Sequence, residues 1–379
     1  MKSPLLDHLT PLRGAMLDAL ETLVAQESPS LDKPALDGMA DLLAGRFASL
    51  GLASHRVLNG SGGDHLRVTL GDPDPARPPA LVLCHFDTVW PAGTLATMPF
   101  RVEEGRAYGP GVYDMKASLV LAEFAASALL SLGPRPPRPV VFLFTSDEEI
   151  GSPDSRRLIE QEARRSAFVL VLEPPLSDGR LKTARKGVGR FVLEVTGRAA
   201  HAGVEPEKGV SAVTELAHQI LALNALADPA AGTTVNVGVV RGGTTSNVVP
   251  AAATADIDVR VSTPDESNRI EAAISALRPI SAGATLTVRG GVNRPPMERT
   301  PAVAGLFERV RAIGRSLGLE LGEGSTGGGS DANLTAALGL ATLDGLGAPG
   351  AGAHAGHEHI VIDALPGRAA LLATLLLEL

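Results

Sequence analysis

Three short, unbroken apolar runs constrain this chain more than anything else in it: Ala80-Leu81-Val82-Leu83-Cys84, Val140-Val141-Phe142-Leu143-Phe144 and Phe168-Val169-Leu170-Val171-Leu172. A strand with no polar face has to be covered on both sides, so each run reads as a central strand of a sheet held between helices. Helical patterns at about 116–132 and 153–164 separate the runs. The order strand, helix, strand, helix, strand is that of an α/β sheet with mostly parallel strands. Upstream, Thr10-Pro11 signals a helix start, and Leu12, Met16, Leu20, Leu23 and Val24 keep helical spacing as far as the break at Ser28-Pro29-Ser30. A second helix is expected over 35–50 and a strand over His65–Leu70.

From about Lys182 the pattern changes to alternating strands (Gly189–Thr196, Thr233–Val240, Ala252–Val261) with helices near 208–227 and 264–278. A helix near 301–317, a glycine-rich stretch 322–329, a short helix from Asp331, a strand at Leu340–Leu343 and a last helix from Pro366 return to the earlier style. The expected architecture is therefore an α/β domain assembled from residues 1–184 and 294–379, with an α+β domain, 185–293, inserted in it. A chain of 379 residues has ample length for both. Its net charge of −8 and aromatic content of 3% argue against a nucleic-acid partner. No uninterrupted apolar stretch approaches ~18 residues, so no membrane span is expected. One cysteine makes no intramolecular disulfide and the first residues lack a signal-peptide pattern, so a cytoplasmic location is the expectation.

The residues with chemistry to offer stand directly after the buried strands, at the edge where open α/β sheets form their ligand crevice. His85 and Asp87 follow the first run, Asp147-Glu148-Glu149 the second and Glu173 the third. Asp114 comes just after the turn Tyr108-Gly109-Pro110-Gly111, and His354 lies in the glycine-rich loop Gly345–Gly356. So many carboxylates at one crevice repel one another unless cations neutralise them. Imidazole with carboxylate suits zinc, with cobalt or manganese as alternatives. Taken singly, each residue also fits a helix cap or a solvated loop position, and Asp147-Glu148-Glu149 also fits a favourable charge before a helix. His354, His357 and His359 form a cluster of which one or two read as surface residues, and Cys84 reads as apolar filler.

In order and spacing, the segments His85-Phe86-Asp87-Thr88-Val89, Gly109 to Lys116, Asp147 to Ser152, Leu172-Glu173-Pro174 and the loop with His354 resemble the zinc-dependent glutamate carboxypeptidase and aminoacylase family over nearly the whole chain. The resemblance implies a di-zinc catalytic domain interrupted by a smaller lid domain that forms a homodimer, with two Zn2+ per chain and Co2+ or Mn2+ as substitutes. Carried over residue by residue, it implies that Asp114 bridges the two ions. His85 and Glu173 would complete one ligand set, and Glu149 and His354 the other. Asp87 would fix the tautomer of His85, and Glu148 would act as general base toward a zinc-bound water. His201, in Gly197-Arg198-Ala199-Ala200-His201-Ala202-Gly203, would hydrogen-bond the oxyanion in the partner subunit's site; a hairpin-turn histidine is the alternative. Asn247 and Arg294 would hold the substrate's α-carboxylate, with Arg289 and Arg299 as neighbouring candidates. Gly327-Gly328-Gly329-Ser330-Asp331 resembles the family's pocket-lining segment or, on its own residues, a loop capping the next helix. The basic stretch Arg180, Lys182, Arg185, Lys186 reads either as a carboxylate attractor or as a solvated hinge.

The activity so implied is hydrolysis of an amide beside a free carboxylate, as a carboxypeptidase releasing a C-terminal amino acid such as glutamate from a small peptide. The alternatives are an N-acyl-amino-acid deacylase and a non-catalytic binding protein on the same fold. Ala117 stands where the family often has glycine, a change a helix accepts.

Overall fold

The computed structural model describes residues 3–379. It separates into two compact units, one built from the chain up to Ala184 with Arg299–Thr326 and Ser330–Leu379, the other from Arg185–Glu298 with Gly327–Gly329.

The first unit holds a six-stranded sheet of β1 (Ser54–Val57), β2 (His65–Leu70), β3 (Ala80–His85), β4 (Val140–Thr145), β5 (Phe168–Val171) and β6 (Thr342–Leu343), in the order β1-β2-β4-β3-β5-β6. β4, β3, β5 and β6 run parallel, and β1 and β2 add an antiparallel edge. Every residue of β3, β4 and β5 is buried, as strands without a polar face require. Helices Arg13–Ala25, Lys33–Ser49, Ala117–Leu132 and Leu365–Glu378 supply the cover, and Phe47 packs on Phe142 and Phe144 at ring-centroid distances of 5.8 and 5.3 Å. By length and composition alone Val112–Leu132 could cross a membrane, but its most apolar window is 72% buried inside the protein, so it is a core element.

Three features differ from the sequence reading. The chain is helical from Pro4, capped by Ser3, and Thr10–Leu12 only joins the helix Pro4–Leu9 to Arg13–Ala25. Ser3-Pro4 is the same cap-and-proline signal as Thr10-Pro11, one helix earlier. A second small sheet pairs Gly350–Ala351, His359–Val361, Arg106–Tyr108 and Arg101–Glu103; strands of two or three residues carry no readable period. Finally, Thr285–Arg294 is a strand, so Arg294 lies in the second unit rather than at the start of the returning segment. Met297 and Arg185 exchange backbone hydrogen bonds of 2.9 and 3.0 Å, which keeps the chain in that unit to Glu298.

The second unit is an antiparallel sheet in the order Thr234–Gly242, Ala252–Val261, Gly187–Thr196, Thr285–Arg294. Alternate residues of the central strand, Ala253, Ala255, Ile257, Val259 and Val261, are buried in one core with Leu216 and Leu223 of helix Ala212–Asn224 and Ile270 and Ile274 of helix Pro264–Ser275.

In the small sheet, a Cβ on Gly350 would lie 2.0 Å from the His359 carbonyl oxygen and 2.8 Å from the Tyr113 ring, so the strands would have to part. Gly350→Ala is expected to lower the thermal midpoint by about 5 °C or more, since about 1 kcal/mol moves a domain of this size by about 2–4 °C. Gly356→Ala, where a Cβ meets nothing within 4 Å, is expected to leave it unchanged. Equal melting curves for the two variants would refute this account of the loop.

Candidate metal centre

Parallel pairing of β3 with β4 and β5 sets the C-terminal ends of the three strands side by side, with His85 opposite Thr145. The loops leaving those ends carry His85, Glu148 with Glu149, and Glu173 to one place. His85 is 2% exposed. Its Nδ1 donates to the Asp87 carbonyl oxygen at 3.0 Å and stands 3.3 Å from Asp87 Oδ1. That turns Nε2 toward Asp114 Oδ1 at 3.1 Å and Glu173 Oε1 at 3.6 Å.

Asp114 reaches the same place from a glycine turn. Gly111 has φ 73°, and a Cβ there would sit 2.6 Å from Thr88 Cγ2, so only glycine fits. The second oxygen of Asp114, Oδ2, lies 3.3 Å from His354 Nε2, so one carboxylate spans two imidazoles. His354 Nε2 also stands 3.1 and 3.2 Å from the two oxygens of Glu149. His354 adopts φ 62°, a left-handed conformation that costs a non-glycine residue on the order of 1 kcal/mol. The pairing of Gly350–Ala351 with His359–Val361 holds it there, and the pairing of His359 with Tyr108 brings its loop to the strand that leads into the Asp114 turn.

Asp87 does more than orient His85. Fully buried, it accepts the Glu148 and Glu149 amides at 3.1 Å on its two oxygens and the Ser30 hydroxyl at 2.8 Å. It thereby ties the end of β3 to the paired glutamates. Ser30 was legible only as part of a helix break, and Glu358, fully buried between His357 and His359, left no signal in the sequence at all.

Donor atoms of His85, Glu148 and Glu173 lie within 4.8 Å of one another, as do those of His85, Asp114 and Glu149. Ligand atoms on one tetrahedral zinc, at bond lengths of about 2.0–2.2 Å, stand about 3.3 Å apart. The separations of 3.1–3.6 Å across His85–Asp114, His85–Glu173, His354–Asp114 and His354–Glu149 match that spacing. Donor set and geometry therefore fit a metal. His201 and Asn247, in the second unit, are brought together there: the Ala202 amide donates to the Asn247 carbonyl at 2.9 Å and His201 bridges to Val248. Arg294 ends a strand of that unit and is 4% exposed. Arg289 is ion-paired with Glu194 at 3.2 Å, and Arg299 grips Glu323 through two contacts of 2.7 Å. Ser330 caps the helix Asp331–Ala336, as the capping reading of that loop expects. Cys84 is buried, and burial pushes its thiol up, away from a nucleophile's range.

The electrostatics follow from the same contacts. Burial favours the neutral acid of Asp114, but hydrogen bonds from His354 and His85 outweigh it and hold the carboxyl well below the usual range. Asp114 and Glu149 in turn push His354 up to about 10. His85, despite a burial effect in the opposite direction, is raised by Asp114 and Asp87. Glu149 is raised by burial.

Known proteins bear on this arrangement. The profile of peptidase family M20/M25/M40 matches residues 81–378. The chain is 31% identical to carboxypeptidase G2 of Pseudomonas sp. (strain RS-16) over 98% of its length and 90% of that protein. It is 29% identical to succinyl-diaminopimelate desuccinylase of Acidovorax ebreus over 91% of this chain and 93% of the relative. Among solved structures, aminopeptidase PepT of Bacillus cereus superposes with a TM-score of 0.80 at 22% identity, covering 96% of this chain and 98% of that one. The metallo-carboxypeptidase Sso-CP2 of Sulfolobus solfataricus superposes with a TM-score of 0.77 at 19% identity, over 96% and 98% of the two chains. At those identities the likeness is one of fold.

A metal needs neutral imidazoles, and here neighbouring carboxylates raise both histidines. Binding must displace their protons, so zinc affinity is expected to rise with pH below the His354 value of about 10. The slope is about tenfold per pH unit for each proton displaced. Calorimetry in buffers of different ionisation enthalpy measures the released protons. An affinity that stays flat from pH 6 to 8.5 would contradict the assigned contacts.

Proposed function

The chain belongs to peptidase family M20/M25/M40, and from that premise we propose that it is a di-zinc carboxypeptidase releasing a C-terminal amino acid such as glutamate from a small peptide or acyl conjugate. Metal-dependent amide hydrolysis goes with the family; the number and identity of the ions, the substrate and a homodimeric state are our reading. The observation that carries it is the Asp114 carboxylate, turned to His85 with one oxygen and to His354 with the other, with Glu148 in the same cluster.

In this reading His85, Glu173 and Asp114 hold one ion, and Asp114, Glu149 and His354 the other. Bound zinc supplies Lewis acidity toward the amide carbonyl and lowers the pKa of an attacking water. Glu148 is the general base: its amide is fixed by Asp87, and its carboxylate stands beside His85 and Glu173. It takes the proton of the attacking water and returns it to the departing nitrogen. His201 Nδ1 accepts the Gly203 amide at 3.1 Å, so the proton of a neutral ring lies on Nε2. That tautomer suits donation to a developing oxyanion rather than proton abstraction. Asn247 and Arg294 are assigned to the substrate carboxylate by the resemblance of their segments, the planar guanidinium fork being suited to a carboxylate.

A cavity of about 520 Å³ beside Glu149 supports a carboxypeptidase over a desuccinylase. Leu31, Val89, Pro91 and Ile150 line it, and none of the described residues lining it is basic. It suits an uncharged acyl portion, whereas a second carboxylate, as on a succinyl group, would meet Asp32 and no cation among the described lining residues. The homodimer reading rests on the strand Thr234–Gly242, an outer strand of its sheet, with Val240 52% exposed and Leu221 of the neighbouring helix 70% exposed. Such an edge is a template for pairing with a second copy.

Glu148→Gln is expected to keep its metal and lose about 10²–10⁴-fold in kcat, while Asp114→Ala loses metal as read by elemental analysis. Near-normal turnover by Glu148→Gln would remove the general-base assignment. Mass spectrometry on peptidyl- and pteroyl-glutamates beside N-succinyl- and N-acetyl-amino acids is expected to show chelator-sensitive glutamate release. Preferential cleavage of the N-succinyl substrates would establish the deacylase instead. Sedimentation is expected to give a dimer that Val240→Glu converts to monomer; a fully active wild-type monomer would end the shared-site idea.

A further inference from the structure

Glu358 belongs to no ligand set, yet its carboxylate accepts four N–H donors beside the centre. It is fully buried. Oε2 accepts the Trp90 indole N–H at 2.8 Å and the Gly111 amide at 2.9 Å; Oε1 accepts the Tyr113 amide at 2.9 Å and the Asp114 amide at 3.0 Å. Two N–H donors on each oxygen fill the acceptor capacity of an ionised carboxylate. Within the same turn the Val112 amide bonds to the Gly109 carbonyl and the Lys116 amide to the Gly111 carbonyl, at 3.3 and 2.8 Å. The amides of Gly111, Tyr113 and Asp114 go instead to Glu358.

The main chain of Glu358 is fixed in its turn. Its amide donates to the Ala355 carbonyl at 2.9 Å, one residue beyond His354, and the next residue, His359, pairs with Tyr108. One side chain thus joins three loops: the loop after β3 through Trp90, the Asp114 turn, and the His354 loop to which Glu358 itself belongs. We propose that Glu358 is a positioning residue for the metal centre, setting the distance between the Asp114 carboxylate and the His354 imidazole, now 3.3 Å. The inference rests on the reading of Asp114 and His354 as metal ligands.

The chemistry makes the proposal sharp. In Glu358→Gln an NH2 replaces one of the two oxygens, and whichever way the amide turns, it meets two N–H donors that it cannot accept. The turn or the His354 loop must then move. Removing such supporting contacts typically weakens metal binding about 10–100-fold. The expected result for Glu358→Gln is a zinc affinity, by chelator competition, reduced by that factor, together with an altered visible absorption spectrum of the Co2+-substituted protein. Trp90 is the one tryptophan in the chain, so its emission reports the same contact and is expected to shift in the variant.

A residue that merely fills the core would lower thermal stability and leave the cobalt spectrum and zinc affinity unchanged. That outcome would overturn the proposal. Should Glu358→Gln fail to fold, Trp90→Phe decides, because it removes one donor from the same carboxylate and keeps a ring in place. It is expected to weaken zinc binding about two- to tenfold, and an affinity unchanged from wild type would overturn the proposal. If the wild-type protein binds no zinc or cobalt, the ligand assignment itself fails, an outcome distinct from variants that bind as well as wild type.

Discussion

The crowding of negative charge at the C-terminal ends of three parallel strands is the constraint on which the rest of this structure depends. Asp87, Asp114, Glu148, Glu149 and Glu173 gather around two imidazoles. Two unit charges 4 Å apart at an effective dielectric of 20 interact by about 4 kcal/mol, so such a cluster persists only if each charge is answered. The apolar strands beneath it supply the framework. β3, β4 and β5 have no freedom to move the loops apart, because all their residues are packed between helices. A stable core is thus what holds an unfavourable charge distribution in place.

The carboxylates divide by what they face. Both oxygens of Asp114 are turned to imidazole nitrogens, and those of Glu149 to His354. Asp87 and Glu358 are turned to N–H groups: the Glu148 and Glu149 amides for the first, three amides of the glycine turn and an indole for the second. In the proposed reading the same side-chain chemistry serves as metal donor in one case and as backbone acceptor in the other. A carboxylate filled with N–H donors has no lone pair left for a cation, and this sorts positioning residues from ligands without reference to their place in the chain.

That sorting explains what the sequence made legible and what it did not. The buried strands were readable because a run of apolar residues with no polar face leaves few alternatives, and their polar exits at His85, Glu148-Glu149 and Glu173 marked the crevice. The glycine turn marked Asp114, since a positive φ at Gly111 needs that residue type. Glu358 and the second task of Asp87 were not readable, because each depends on amides from distant loops: Glu358 meets Gly111 across 247 positions. The strand Thr285–Arg294 escaped for a different reason. Gly290 and Gly291 interrupt its apolar alternation, and only pairing with Gly187–Thr196 defines it. The short strands that bring the His354 loop to the Asp114 turn are likewise products of tertiary pairing rather than of local pattern.

The candidate centre and the apolar cavity beside it are joined through the backbone. Ile150, which lines the apolar cavity, follows Glu149 directly, and Val89 stands two residues after Asp87. Pro29 bridges to Thr88, the Thr88 amide donates to the Ser28 carbonyl at 2.8 Å, and Ser30 in the same loop donates to Asp87. The wall of the cavity and the support of the paired glutamates are therefore one hydrogen-bonded structure. Leu31, 86% exposed and outside those contacts, is the lining position that can change size or charge while leaving that structure alone. If the cavity receives the acyl portion as proposed, substrate preference is most freely altered at its rim, and least freely at Ile150, where a new side chain acts on the peptide next to Glu149.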